Sequence, residues 1–348
     1  MTDPRFRIVA TRGAARAGVL TTAHGAILTP AFLARADAGI VPGHGPDDLE
    51  GAGIGVVGAS SLDLSVRPGS DAIQRSGGLH AFVGWSHPIL VDGGTERLAE
   101  LRDASAGHGR LVRVDVDGAT FASPVDGSPQ RVTPGSALSA IAALGADLAV
   151  PLYYPGRGFG PRRIEGDDIG AAWAGAALYG QPGSKALFLR GITVGPGNEG
   201  IEDVSTSDPR PDGIALLARY CTDGFASILE RAPMSSIRYL GSDGGPEDLG
   251  DALQKGFDLV NSGAPVRDAA NGWSYTSSGR ASVLGDAGKG DGPIEVDCPC
   301  LVCTRHGRPY VHHLFDAHEL LGPRLLGIHN LAFVARLFAR FREGLLGS

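Results

Sequence analysis

The stretch that decides the reading of this chain is DCPCLVCTRHGRPYVHHLFDAHELLGPRLLGIHN, residues 297–330. It holds three of the four cysteines and five of the ten histidines. Cys298, Cys300, Cys303 and His329 form C-x-C-x2-C-x25-H, four soft or borderline ligands, which is the number a closed tetrahedral zinc site needs. Four protein ligands leave no open position for water, so the spacing points to a structural metal, one zinc per chain. Between the cysteines and His329, Val311, Leu314, Phe315, His318 and Leu321 recur at helical spacing, which predicts a helix over about 310–326 that returns the chain to His329. The alternative is a set of buried thiols with a core histidine. His306, His312, His313 and His318 read as surface or packing residues rather than further ligands.

Outward from this stretch, composition bounds the class. The chain has 348 residues, 43% hydrophobic content and a formal net charge of −7, enough to bury a large core as one α/β barrel or two smaller domains. The polar start MTDPRFRIVATRG carries no signal-like apolar region, and no run of about 18 apolar residues occurs. These features lead to the expectation of a cytoplasmic protein without a membrane partner. A cysteine cluster in a reducing compartment binds metal more often than it forms disulfides. Of the 31 basic residues only Lys185, Lys255 and Lys289 are lysines, and bulk charge does not announce a nucleic-acid binder.

The run CPCLVCTRHGRPYVHHLFDAHELLGPRLLGIHNLAFVARL resembles the zinc-binding segment of the tRNA-guanine transglycosylase family, the queuine- and archaeosine-type base-exchange enzymes. Three more blocks resemble that family in the same order: RPGSDAIQRSGGLHAFVGWSHPILVDGG (67–94), YLGSDGGPEDLGDALQKGFDLVNSG (239–263) and DAANGWSYTSSG (268–279). Residues 1–50 and 150–235 align poorly. The resemblance implies a (β/α)8 barrel over 1–285, followed by a zinc-binding subdomain and C-terminal helix over 286–348. Short apolar runs fit parallel strands: GIGVVGA (53–59), HPILVDGG (87–94), ADLAVPLYY (146–154), KALFLRGITV (185–194), SIRYLGS (236–242) and GFDLVNSG (256–263). A doubly wound open sheet gives a similar pattern, and the resemblance decides for the barrel. GPGNEG (195–200) satisfies G-x-G-x-x-G, but the prolines that follow break the helix a dinucleotide site needs.

The resemblance also implies chemistry. In the family, the aspartate of an FD dipeptide attacks C1′ of the target nucleotide and expels guanine, while the aspartate after the PIL strand helps to deprotonate the incoming base. Those positions fall on Asp258 and Asp92, both expected at the C-terminal mouth of the barrel. A covalent glycosyl-enzyme captured by a base instead of water follows the logic of a retaining glycosidase. An aspartate at a strand end is otherwise a cap or loop hydrogen-bonder.

Several positions depart from the family pattern. The loop DGGTERL (92–98) replaces a DSGGFQ-like loop, leaving Gly93 and Gly94 beside the substrate position and Glu96 near the place of a glutamine. Tyr153, in VPLYYPG (150–156), falls where the family has a base-reading aspartate; a tyrosine stacks or donates one hydrogen bond but cannot accept two as a carboxylate does. Gly191 and Ile192, in RGITVGPG, are candidates for a base-binding backbone floor, and ASSLDLSV (59–66) replaces the family's asparagine-threonine-tyrosine-histidine segment. Between 289 and 348 seven Lys/Arg stand against six Asp/Glu, a weak attraction for phosphates, with Arg267, Arg305 and Arg308 left as individual clamps.

Three functions fit this reading. One is exchange of guanine for a 7-deazaguanine-type base in tRNA; another is the same chemistry on a free guanine nucleotide or nucleoside; the third is a non-catalytic partner subunit. The resemblance implies a homodimer, and the apolar stripe Leu331, Val334, Leu337, Phe338 and Phe341 has a use either inside the monomer or against a partner.

Overall fold

In the computed structural model, the residues described are 5–104, 109–156, 159, 166–178, 186–192, 211–220 and 225–347. The chain opens with an antiparallel sheet of β1 (Phe6–Arg12), β2 (Ala15–Thr22) and β3 (Gly25–Thr29). A barrel then begins with β4 (Ala31–Arg35), β5 (Val57–Ser60) and β6 (Ile89–Asp92). A second small antiparallel sheet, β7 (Arg110–Asp115), β8 (Gly118–Ala122) and β9 (Pro129–Val132), interrupts it. The barrel resumes with β10 (Leu148–Val150), β11 (Leu187–Gly191), β12 (Gly213–Leu217), β13 (Ile237–Ser242) and β14 (Leu259–Ser262). A hairpin of β15 (Trp273–Thr276) and β16 (Gly279–Ser282) leads to the cysteines.

The eight barrel strands close in the order β10-β11-β12-β13-β14-β4-β5-β6, and all eight pairings are parallel. Closure removes every sheet edge and leaves two ends, of which the C-terminal one is where strand-to-helix loops gather. Six of the strands lie in the apolar runs identified above. The other two, AFLAR and GIALL, fall in regions where the resemblance was weak. The GPGNEG loop lies outside the described residues.

Inward residues fill the barrel: Leu33, Leu90, Leu148, Val150, Leu189, Ala215, Tyr239 and Leu259 form one buried cluster with Leu20 and Ile27 of the N-terminal sheet. That sheet is the floor of the barrel. Its anchor is Arg16 of β2, which is 1% exposed and donates Nε to Asp258 Oδ1 at 2.9 Å. Arg16 Nη2 also pairs with Asp258 Oδ2 and donates to the Ser236 carbonyl at 2.6 Å, while Nη1 donates to the Met234 carbonyl at 2.9 Å. Asp258 Oδ2 accepts in addition from the Arg238 amide at 2.8 Å. A second tie is Asp147, just before β10, which accepts from His24 Nδ1 (2.9 Å), His80 Nε2 (3.1 Å) and the Ile89 amide (3.0 Å). Burial works against this carboxylate, but the hydrogen bonds from His80, Ile89 and His24 outweigh it and hold the pKa at about 2.

The predicted helix over 310–326 is two helices, Arg308–Asp316 and Leu321–Leu346. The break contains His318, whose φ of 55° is a left-handed conformation. His329 therefore sits within the 26-residue final helix. Leu331, Val334 and Phe338 of its apolar stripe are buried, and Leu337 and Phe341 pack beside them, so the monomer itself uses the stripe. Cys298, Cys300, Val302 and Val311 share one apolar cluster with barrel residues such as Phe32 and Val260. Among the described residues no helix is long and apolar enough to cross a membrane.

The Arg16–Asp258 clamp carries a stability prediction. Arg16→Met leaves Asp258 charged, buried and unpaired, and should cost about 3–5 kcal/mol in denaturant unfolding. A loss below about 1 kcal/mol would mean that the clamp does not hold the floor.

Candidate active site and metal centre

The barrel geometry separates the two aspartates that the sequence reading put together. Asp92 is the last residue of β6, at the C-terminal mouth, in register with Ser60 of β5 and Val150 of β10. Asp258 precedes β14, at the opposite end, fully buried under Arg16. The expectation that both stand at the mouth is thus corrected: Asp258 is a floor residue, sealed by an arginine and a backbone amide, and substrate at the mouth cannot reach it. The start of β14 at Leu259 explains the difference, since it leaves Asp258 at the N-terminal end of the strand, while Leu259 and Asn261 are the residues β14 turns inward. At the mouth end β14 presents an amide, Asn261, in register with Gly241 and Leu33.

Asp92 is followed by a tight turn. The Gly93 amide donates to the Val150 carbonyl at 2.7 Å, and a Cβ on Gly93 would come within 2.1 Å of the Leu152 amide nitrogen. Gly94, at φ 96°, donates to Asp92 Oδ1 at 2.5 Å and opens the helix Thr95–Asp103. Only glycine fits both places, one for space and one for conformation. Burial, with the charge of Asp37 added, raises the Asp92 pKa to about 7 against the pull of the Gly94 amide and Arg35.

The mouth is organised around Arg35, the last residue of β4, a residue the sequence reading did not single out. Its Nε donates to Asp37 Oδ2 at 2.7 Å, and its Nη1 lies 2.6 Å from Glu100 Oε1 and 3.5 Å from both Glu96 Oε1 and Asp243 Oδ1. Burial opposes its charge, but Glu96, Asp37 and Glu100 outweigh that and raise its pKa. Arg97 holds Asp63 (3.0 Å) and Glu100 (3.0 Å) beside it. Glu96 is 6% exposed; burial, with Asp92 and Asp37 nearby, lifts its pKa well above the ordinary value despite Arg35. Tyr239, held neutral by burial and by the charges of Glu96 and Asp92, accepts a hydrogen bond from Asn261 Nδ2 at 3.2 Å. Glu96 Oε1, Asn261 Oδ1 and Asp63 Oδ2 are buried without a hydrogen-bond partner. Unmet acceptors collected at one mouth are the mark of a site shaped for a ligand.

Tyr153 occupies the barrel interior. Its ring lies against Gly191, where a Cβ would approach its Cγ to 2.0 Å, and its backbone is fixed by Thr95 Oγ1 at 3.0 Å on both N–H and C=O. The ring therefore belongs to the core that underlies the mouth. The Ile192 amide is spent on the Ala215 carbonyl at 2.9 Å, which corrects the expectation that it is free to bind a base. Arg267 is on the rim, half exposed, with Nη2 donating to the Asp243 carbonyl at 2.6 Å.

The metal ligands converge as expected. Cys298, Cys300 and Cys303 Sγ lie 3.8, 3.6 and 3.3 Å from His329 Nδ1. The S···N edge of a zinc tetrahedron with ordinary bond lengths is about 3.6 Å. His329 Nε2 donates to the Tyr275 carbonyl at 2.8 Å, which fixes the ring with Nδ1 toward the sulfurs. Arg336 Nη1 donates to Cys298 Sγ at 2.9 Å, a contact suited to a thiolate. Donor set, spacing and orientation fit zinc. Among the described residues His24, His80 and Asp147 also gather, but there the carboxylate is already taken by direct hydrogen bonds.

Comparison with known proteins supplies the remaining finding. A sequence model of the family described as Queuine tRNA-ribosyltransferase matches residues 11–165 and 218–347. Relatives of that name are 32% identical in Novosphingobium aromaticivorans, covering 99% of this chain and 95% of the relative. The relative from Oleidesulfovibrio alaskensis is also 32% identical (98% and 92%), and that from Gluconacetobacter diazotrophicus is 33% identical (96% and 88%).

The burial of Asp92 has a measurable sign. An acid whose folded pKa is raised binds more protons folded than unfolded between about 4 and 7, so its contribution to stability declines as pH rises through that window. Asp92→Asn should therefore gain stability relative to the wild type between about pH 5 and pH 8 in urea titrations. Parallel pH curves for the two proteins would contradict the raised pKa.

Proposed function

This chain belongs to the queuine tRNA-ribosyltransferase family, and from that premise we propose that it exchanges a purine base on a pentose at the barrel mouth, with guanine in tRNA as the base replaced and a 7-deazaguanine-type base as the one installed. The observation that carries the proposal is Asp92, a strand-end carboxylate at the mouth of a closed barrel, poised by burial at a pKa of about 7. With Asp258 engaged in the floor, the glycosyl ester falls to Asp92, whose Oδ1 is held by the Gly94 amide. Attack on C1′ and later release to an incoming base give two inversions and net retention. Tyr153 and Gly191 close the space beneath, and Gly93 and Gly94 shape the wall beside the sugar.

The barrel of residues 1–285 carries this chemistry, and residues 286–348 form its zinc-bearing appendage. One zinc on Cys298, Cys300, Cys303 and His329 ties the segment after β16 to the final helix. When bound, it supplies structure, since four protein donors close its coordination sphere. Protein purified without chelator should contain close to one zinc per chain, and a strong chelator should lower the melting temperature; a chain that holds its melting temperature with the metal stripped would contradict a structural role. Pairing of two copies, by the family pattern, is part of the proposal.

A specific observation favours a second reading: Asn261 is the inward polar residue of β14 at the mouth, an amide where a second carboxylate would complete a pair. That would suit a non-catalytic partner subunit. One assay separates the readings and the acceptors. Labelled guanine is offered with tRNA and, separately, with a guanine nucleotide. Exchange into tRNA that declines with salt supports the proposal, and exchange into the nucleotide alone assigns a small-molecule acceptor. Exchange into neither, by a folded, zinc-loaded protein, supports the partner reading. In the active case, turnover should rise as Asp92 ionises through about pH 7, and Asp92→Asn should lower it by about a thousandfold. Turnover retained in that variant would overturn Asp92.

A further inference from the structure

Base exchange needs a proton as well as a nucleophile, because a purine leaves a sugar poorly as its anion. Asp92 cannot both attack C1′ and supply that proton. Asn261 cannot replace it, since an amide does not give up a proton near neutral pH, and the Tyr239 phenol, its pKa raised well above the ordinary value by burial, is too weak an acid. Resting on the base-exchange reading, we propose that Glu96 is the second carboxylate of the reaction, the acid that protonates the departing base and the base that takes the proton from its replacement.

Placement comes first. Glu96 stands in the first turn of the helix Thr95–Asp103, joined to Asp92 by the two-glycine turn, so the strand end and the helix start put both carboxyls at the mouth. Its side chain extends over β13: a Cβ on Gly241 would lie 3.3 Å from Glu96 Oε2. There it lines one end of a cavity of about 420 Å³ that continues past Leu217, Ser242 and Asp243 to Asp248, Lys255 and Phe257, within the range of small-ligand sites; Asp92 stands outside that lining.

Availability comes next. Arg35 gives its short contacts to Glu100 and Asp37, at 2.6 and 2.7 Å, and stands off at 3.5 Å from Glu96. Glu96 Oε1 is left buried with no hydrogen-bond partner. A buried acid that was purely structural would have its oxygens satisfied. Burial, with Asp92 and Asp37 nearby, favours the protonated carboxyl, which is the form that can donate.

The step balances. As an Asp92 oxygen bonds to C1′, the C1′–N9 bond breaks and its electron pair goes to the base, which receives the proton of Glu96. In the second half the incoming base gives its N–H proton to the Glu96 carboxylate as that nitrogen bonds to C1′. The C1′–O bond returns its pair to Asp92, and both carboxyls end as they began.

The test follows labelled-guanine exchange by the full, zinc-loaded chain into tRNA and into guanosine monophosphate, for the wild type, Asp92→Asn and Glu96→Gln. Glu96→Gln should lower kcat by about 100-fold or more with KM nearly unchanged. It should also abolish the alkaline fall of the pH profile, because no group then remains whose deprotonation stops proton donation. The loss should shrink for acceptors carrying 8-azaguanine, which departs more readily as an anion; a positioning residue would not follow the leaving group. Wild-type exchange that is lost in Asp92→Asn but kept within about threefold in Glu96→Gln overturns Glu96 alone. So does a loss confined to KM, or one equal for both leaving bases. Absence of exchange by the wild type with every acceptor overturns the base-exchange reading, and Glu96 with it.

Discussion

The ion pair between Arg16 and Asp258 divides the molecule into a floor and a mouth. A closed barrel has two ends, and only one is available for chemistry once the other is covered. Arg16 reaches from the N-terminal sheet and spends its guanidinium on Asp258 and on the carbonyls of Met234 and Ser236. A buried pair of this kind is worth little relative to apolar packing, but it is costly to break. It therefore fixes where the sheet sits rather than adding much to stability. With the floor fixed, the interior apolar layer of Leu33, Leu90, Leu189 and Leu259 is continuous with Leu20 and Ile27, and the polar interior residues are confined to the strand ends above it.

At the mouth the constraint is electrostatic. Arg35 faces Asp37, Glu96, Glu100 and Asp243, and Arg97 adds contacts to Asp63 and Glu100. Arg219 adds a contact to Asp243 at 2.5 Å, and burial raises the pKa of Asp37 and Asp63 in spite of their arginines. Asp92 and Glu96 share that rise, again chiefly through burial. Two carboxyls at one mouth, both inclined by burial to hold a proton, suit nucleophilic and acid–base work together. The strand-end glycines, the start of the helix at Thr95 and the arginine of β4 jointly produce that arrangement.

Much of this was legible in the sequence, and the failures have physical causes. The metal ligands could be read because cysteines at C-x-C-x2-C spacing have few other uses. Six barrel strands could be read as short apolar runs between turns. AFLAR and GIALL were missed because five residues, one run ending in an arginine and the other uniformly apolar, carry too little periodic signal. Asp258 was misplaced because the resemblance of the FD dipeptide does not fix where the strand begins: in GFDLVNSG the strand starts at Leu259, so Asp258 lies before it, and Leu259 and Asn261 face inward. Arg35 and Asp243 come from loops and strand ends far apart in sequence, and only barrel closure brings them together with Glu96. The buried Tyr153 ring could not be foreseen, because its neighbour Gly191 belongs to the next strand.

The central claim is that the sugar is carried by the mouth carboxylate and not by the floor aspartate. Its most direct test is to trap the glycosyl-enzyme by incubating the protein with acceptor RNA in the absence of an incoming base, quenching with denaturant, and mapping the modified peptide by mass spectrometry. The account predicts an adduct on the peptide that contains Asp92. An adduct on the peptide containing Asp258, or turnover with no adduct on any carboxylate, would contradict it.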